Sequence, residues 1–293
     1  LLSIDDIHAG LNILERIIDG IEEPRNLKLS VLEHITNHFS HELKIGHGIL
    51  PNEIIAVKKL FNNRTIDEKM FHQEVTSTMM VSHKNIVRFI GYCSHTEEKA
   101  IEIEGKYVVA QIRERLLCFE SISNGSLEKH LTDELRGLEW HIRYKIIKGI
   151  CEGLYYLHKE KHIIHMDLKP ANILLDDNMM PKITDFGLSR LDDTSRTMST
   201  ERLLSLGYCA PEFRDHGFRS AKSDIYSLGA IILELITGSK EEASITKSYM
   251  TCDSLTKTKY IWWMDEFVIC TESILRPYLG SRRLRLHLIK AAV

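Results

Sequence analysis

A carboxylate, an ammonium and a carboxamide stand within six residues of one another in His165-Met166-Asp167-Leu168-Lys169-Pro170-Ala171-Asn172: Asp167, Lys169 and Asn172. A well-placed carboxylate takes a proton from a reacting hydroxyl. A carboxamide oxygen is a hard ligand suited to magnesium, and an ammonium offsets negative charge on a group in transfer. A second carboxylate, Asp185, follows thirteen residues after Asn172 and opens Asp185-Phe186-Gly187. Each feature has a plainer explanation: an Asp-Pro-Asn turn ahead of a strand over 173–175, and a triplet that is common by itself. The conjunction, in this order and at this spacing, carries the chemical reading.

The elements that must position these groups follow from apolar periodicity. Residues 1–29 read as an amphipathic lead, with Leu11, Leu14, Ile17 and Ile18 at helical spacing before Pro24. A short helix is expected over 30–37, extended chain over 44–60 and a helix over 66–80. Strand-like runs follow at 87–91, 107–112 and 116–119, separated by polar turns. The character changes after Asn124-Gly125. A strong amphipathic helix covers 140–158, with Ile142, Ile146, Ile147, Ile150, Leu154 and Leu157 on one face. Another covers 223–237 and stops at Gly238. The expected class is α+β and bilobal: a small β-rich lobe over 30–122, a larger helical lobe over 123–245, and a divergent tail over 246–293.

Bulk properties exclude several other classes. A net charge of -3 gives no reason to expect nucleic acid as a partner. The six cysteines show neither a C-x-x-C pair nor metal-ligand spacing, which fits reduced thiols in the cytoplasm. The richest apolar run, 228–236, is broken by Glu234 and too short to span a bilayer. A membrane is expected only through a segment upstream of Leu1.

The 165–172 stretch resembles the eukaryotic protein-kinase catalytic loop H-R-D-L-x-x-x-N, with Met166 in place of the arginine. Asp185-Phe186-Gly187 and Ala210-Pro211-Glu212 match the limits of an activation segment. Between them Thr194, Ser195, Thr197, Ser199 and Thr200 are candidate phosphate acceptors, or simply a solvated loop. Ile55-Ala56-Val57-Lys58 resembles V-A-I-K, and Glu74 lies sixteen residues beyond Lys58 on the expected helix. Further motifs bring the chain near the plant receptor-like kinases over about residues 26–240. They are Ile35-Thr36-Asn37-His38-Phe39-Ser40, His83-Lys84-Asn85-Ile86-Val87, Asn124-Gly125-Ser126-Leu127 and the 163–175 stretch.

That resemblance implies a protein serine/threonine kinase using ATP and magnesium, with a protein substrate and ATP held between the lobes. It implies Asp167 as the base that positions the acceptor hydroxyl, Lys169 as its cationic neighbour, and Asn172 and Asp185 as metal ligands. Lys58, paired with Glu74, is implied to grip the phosphates. Phe119 takes the gatekeeper position, and the Glu120 carbonyl and Ile122 amide face the adenine edge. Ser205 is implied near the catalytic aspartate, and Asp224 as a brace for the catalytic-loop backbone. Met166 weakens the case for control through a phosphorylated activation loop.

The resemblance breaks in two places. The glycine-rich template placed on Gly46-His47-Gly48, the expected phosphate-binding glycines, calls for glycine at 51 and valine at 53; Pro51 and Glu53 stand there. Only nine residues separate Gly48 from Lys58. Roughly eight residues of the pattern, the loop tip and the second strand, are therefore expected to be absent. Residues 42–48 would then take the missing strand's place. At the other end, Arg276 stands where an arginine pairing with Glu212 belongs, although the flanking text fits chance equally well. The alternative function is a catalytically impaired, pseudokinase-like interaction module.

Overall fold

The computed structural model describes residues 4–39, 46–49, 54–60, 68–103, 106–133, 138–186 and 207–237. They fall into two compact units, one of residues 1–82 and 87–121, the other of 83–86 and 122–293.

The first unit is built on a five-stranded sheet ordered β1-β4-β5-β3-β2. In chain order these are β1 (Arg25–Asn26), β2 (Gly46–Ile49), β3 (Ile54–Leu60), β4 (Phe89–Ile103) and β5 (Lys106–Glu120). Alternate residues of a strand point to opposite faces, and the apolar run in β5 supplies both. Leu116 and Cys118 join Ile55, Val57, Ile90 and Cys93 on one face, under α1 (Ile4–Ile18) and α2 (Leu29–Ile35). Leu117 and Phe119 join Phe89 on the other, against Phe71 and Val75 of α3 (Glu68–Met79). A register shift between Phe89 and Gly91 lets neighbouring apolar residues serve both sides.

The lead is part of this core: Leu14 and Ile17 of α1 are fully buried in it. Helix α1 has Asp5 and Asp6 in its first turn and Arg16 in its last, which suits the helix dipole. The Arg88 guanidinium donates to the terminal carbonyls of Ile17 and Ile18. After it, β1 runs parallel to β4, with Arg25 opposite Gly91. A Cβ at Gly91 would lie 2.7 Å from the Arg25 carbonyl oxygen, so this approach needs glycine.

One expectation is corrected here. The separate strands at 87–91, 107–112 and 116–119 are pieces of one long hairpin. Its outer half pairs Thr96 with Arg113 and Glu102 with Tyr107, and Tyr107 and Val109 are exposed. With neither face buried, no alternating apolar pattern marks its partner stretch 97–103 as strand or joins 107–112 to 116–119. The helix expected over 66–80 is present over Glu68–Met79, with 66–67 outside the described residues.

The second unit holds α4 (Leu127–Asp133), α5 (Trp140–Tyr155), the two-stranded β6 (Ile173–Leu175) and β7 (Pro181–Ile183), α6 (Pro211–His216) and α7 (Ala221–Thr237). A π-helical turn, Tyr156–Glu160, continues α5, and a 3-10 turn, Pro170–Asn172, precedes β6. The 83–86 stretch is fastened here through Asn85. Its Nδ2 donates to the Pro181 carbonyl at 2.9 Å, and its own carbonyl accepts the Ile183 N–H at 2.8 Å. Gly149 of α5 permits this packing, since a Cβ there would lie 2.5 Å from Pro181 Cγ. Among the described residues, no helix is long and apolar enough to cross a membrane. Cys93, Cys118 and Cys151 are buried free thiols, and burial pushes Cys151 up to about 12, which makes it a poor nucleophile.

Candidate active site

In the second unit, chain reversal after the π turn brings polar groups together around 165–172. The backbone is held from below by Asp224, which is fully buried in the first turn of α7. Asp224 Oδ2 accepts the His165 N–H at 2.7 Å and lies 2.7 Å from His158 Nε2; Oδ1 accepts the Met166 N–H at 2.7 Å. Met166 has φ +68°, a left-handed conformation that costs a non-glycine residue about 1 kcal/mol or more. Two charge-assisted bonds offset that cost. Met166 is thus pinned through its backbone N–H.

Immediately beyond Met166, three of the expected site residues meet. Asn172 Nδ2 donates to the Asp167 carbonyl at 2.8 Å and to Asp167 Oδ2 at 3.0 Å. Lys169 Nζ lies 2.8 Å from the same Oδ2. With its nitrogen engaged twice, Asn172 retains Oδ1 as its acceptor atom, the kind of hard oxygen that suits magnesium. Asn172 is buried, while the Asp167 side chain is 38% exposed.

Asp185 is tied to this loop through its neighbour Thr184. The Thr184 N–H donates to the Asn172 carbonyl at 3.0 Å, and the Thr184 carbonyl lies 2.9 Å from His165 Nε2. Asp185 itself has φ +60°. A carboxylate and a carboxamide oxygen are residue types that suit a divalent cation, and here they belong to two segments joined by backbone hydrogen bonds. After the next described residues, Tyr208 donates its hydroxyl to the buried Glu234 carboxylate, and Ser227 Oγ donates to the Tyr208 carbonyl at 2.7 Å. Burial, followed by the Glu234 contact, holds that phenol well above the usual tyrosine range.

The first unit carries the other expected groups. Lys58 lies on β3 opposite Leu117 of β5, and Glu74 lies on α3, 5% exposed. Phe119 is opposite Ala56 and packs edge-on against Phe89. Glu120, opposite Ile55, accepts the Arg88 N–H through Oε1 at 2.8 Å. Ile122 belongs to the second unit. Gly46 and Gly48 are paired with Val57 and Ile55 in an antiparallel ladder, so both stand within β2 rather than in a turn. Residues 46–49 occupy the sheet edge beside β3, where the shortened segment was expected to run; 41–45 lie outside the described residues. So do Thr194, Ser195, Thr197, Ser199, Thr200, Ser205 and Arg276.

Sequence reasoning missed His158, which shares Asp224 with the loop backbone, and Arg115, whose guanidinium is almost fully buried. Only Arg115 left a trace: a cation set directly before the apolar 116–119 run.

Comparison with known proteins bears on all of this. A protein kinase domain model matches residues 46–271. Cysteine-rich receptor-like protein kinase 25 of Arabidopsis thaliana is 38% identical over 266 residues, covering 84% of this chain and 36% of that protein. Cysteine-rich receptor-like protein kinase 44 of the same plant is 37% identical over 276 residues, covering 88% and 67%. Among solved structures, the pseudokinase domain of BIR2, an immune regulator of the RLK/Pelle family, aligns with a TM-score of 0.56 and 28% identity. That alignment covers 72% of this chain and 64% of the other. The chain spans about a third of the length of several of these relatives, 36% for kinase 25 and 33% for kinase 26. On the family match and these identities together, the chain belongs to the protein kinases, among the plant receptor-like kinases.

Proposed function

We propose that this chain transfers the γ-phosphoryl group of ATP to serine or threonine hydroxyls of proteins, as the cytoplasmic kinase part of a plant receptor-like signalling protein. One observation supports this most: Asp167, Lys169 and Asn172 converge at 2.8–3.0 Å on a loop whose backbone is braced by buried Asp224. In this reading Asp167 orients the acceptor hydroxyl and takes its proton. Lys169 sets positive charge beside the transferring group. Asn172 Oδ1 and the Asp185 carboxylate hold magnesium, which when bound neutralises phosphate charge as a Lewis acid. Lys58, supported by Glu74, orients the phosphates, and Phe119, Glu120 and Ile122 receive the adenine. Membrane attachment, in the same reading, comes from a part of the longer protein outside this chain.

A second reading, a catalytically impaired module that binds partners, is favoured by the β2 ladder. Gly46 and Gly48 stand opposite Val57 and Ile55 within that ladder rather than in a turn that could cradle phosphates. Likeness to a pseudokinase domain adds to it. Radiolabelled phosphate transfer to a protein acceptor, wild type against Asp167→Asn, separates the two. Incorporation at least about 100-fold above the variant supports the kinase. Incorporation equal to the variant, with thermal stabilisation by Mg-ATP retained, supports the module.

A further inference from the structure

Arg115 sits on β5 between Leu60 of β3 and Ser94 of β4, with its side chain 6% exposed. A buried guanidinium needs acceptors for its five N–H groups, and these come from three elements, β4, β5 and α3. Nη1 donates to the His95 carbonyl at 2.6 Å and the Glu114 carbonyl at 2.9 Å; Nη2 donates to Thr96 Oγ1 at 3.1 Å. The remaining face of the fork reaches Glu68, the first residue of α3. Nη2 donates to Glu68 Oε2 at 2.6 Å and Nε to the same oxygen at 3.2 Å. The guanidinium carbon also stands 5.6 Å from the centre of the Phe71 ring on the next turn of α3. Ser94 adds a hydroxyl bond to Glu68 Oε1 at 3.3 Å.

We propose that Arg115 is a positioning residue for phosphoryl transfer, setting the first turn of α3 and through it the place of Glu74. The inference rests on the kinase reading, because it gives Glu74 its role beside Lys58. A short helix moves as a rod, so a displacement at Glu68 is transmitted to Glu74 further along the same helix. The sheet side of the clamp is fixed by three bonds within β4 and β5. On the helix side the polar contacts all meet at Glu68, which is 41% exposed, so they can be released without opening the core.

Glu68→Ala tests this without touching the buried arginine, and Glu68→Asp serves as the conservative rescue. Glu68→Ala is expected to lower kcat for transfer to casein about tenfold, with KM for casein unchanged. Hydrogen exchange of the α3 amides should accelerate by about the same factor while β3 amides keep their rates. Glu68→Asp should recover most of both losses. In a Glu74→Gln background the Glu68→Ala loss should disappear, because the two residues act in series. Full kcat and unchanged α3 exchange in Glu68→Ala would overturn the proposal, as would an equal loss in the Glu74→Gln background. Wild-type transfer no greater than that of Asp167→Asn would instead remove the kinase reading and the positioning role with it, and exchange on α3 would then report the clamp alone.

Discussion

Asp224 Oδ1 accepts the backbone N–H of Met166 at 2.7 Å, directly before Asp167. The carboxylate is fully buried, and its other oxygen serves the His165 N–H and His158. In Asp224→Asn the amide nitrogen must replace one oxygen, and at either position it faces a backbone N–H. One buried donor then loses its acceptor, which costs roughly 1–3 kcal/mol. Urea unfolding should show that loss, and phosphate transfer should fall because the left-handed turn at Met166 is no longer held. An unchanged unfolding midpoint would contradict the brace.

Asn172 holds Asp167 by two hydrogen bonds, and in the proposed kinase reading its Oδ1 would also hold magnesium. Asn172→Ala removes both. Transfer is expected to fall about 100-fold at saturating ATP. The magnesium concentration for half-maximal rate should rise about tenfold or more, the usual result of losing a ligand or its support. A magnesium titration of transfer rate, with EDTA as the blank, measures this. A lowered rate at an unchanged magnesium midpoint would leave Asn172 as a structural partner of Asp167 alone.

The lead helix belongs to the small unit's core, because Leu14 and Ile17 are fully buried against the sheet face formed by Ile55, Val57, Leu116 and Cys118. Leu14→Ala should destabilise the protein by about 2–5 kcal/mol. Ile13→Ala, on a partly buried neighbour at the edge of the cluster, should cost clearly less. Comparative urea melts decide it; equal small costs at both positions would mean that α1 is not packed as described.

The 165–172 loop was legible because its polar groups are compressed into a short stretch: Asp167, Lys169 and Asn172 are neighbours in sequence and in space. Local periodicity likewise revealed α5 and α7, whose apolar faces repeat with the helical period. The clamp of Arg115 on Glu68 was not legible, since 47 residues separate the partners and each alone is an ordinary surface charge. The continuity of the β4–β5 hairpin was hidden for another reason: its outer half buries neither face, so no alternation is required across 97–103 to join the runs at 87–91, 107–112 and 116–119. The strand position of Gly46 and Gly48 was legible only in part. The short spacing to Lys58 signalled a missing strand, but cross-strand register depends on β3, not on the glycines themselves.

His83 makes stability depend on pH. Its Nδ1 accepts the Asn85 N–H at 3.1 Å, and its ring stacks on Tyr156 with centroids 4.9 Å apart. Burial, followed by the Lys84 charge, holds the imidazole below its usual 6.5, against weaker opposing effects of Glu152 and Glu160. The unfolded chain therefore binds a proton more readily than the folded one. The stability due to the neutral ring is fully present above about pH 6.5 and is lost as pH falls from there through the lower folded value. His83→Phe keeps a ring over Tyr156 but has no acceptor for Asn85 and no proton to bind. Between about pH 7.5 and about pH 5.5 the wild type should lose more unfolding free energy than His83→Phe, as measured by urea melts at each pH. Parallel losses in the two proteins would assign the acid sensitivity to other groups, and an increase in wild-type stability on acidification would reverse the sign of the effect.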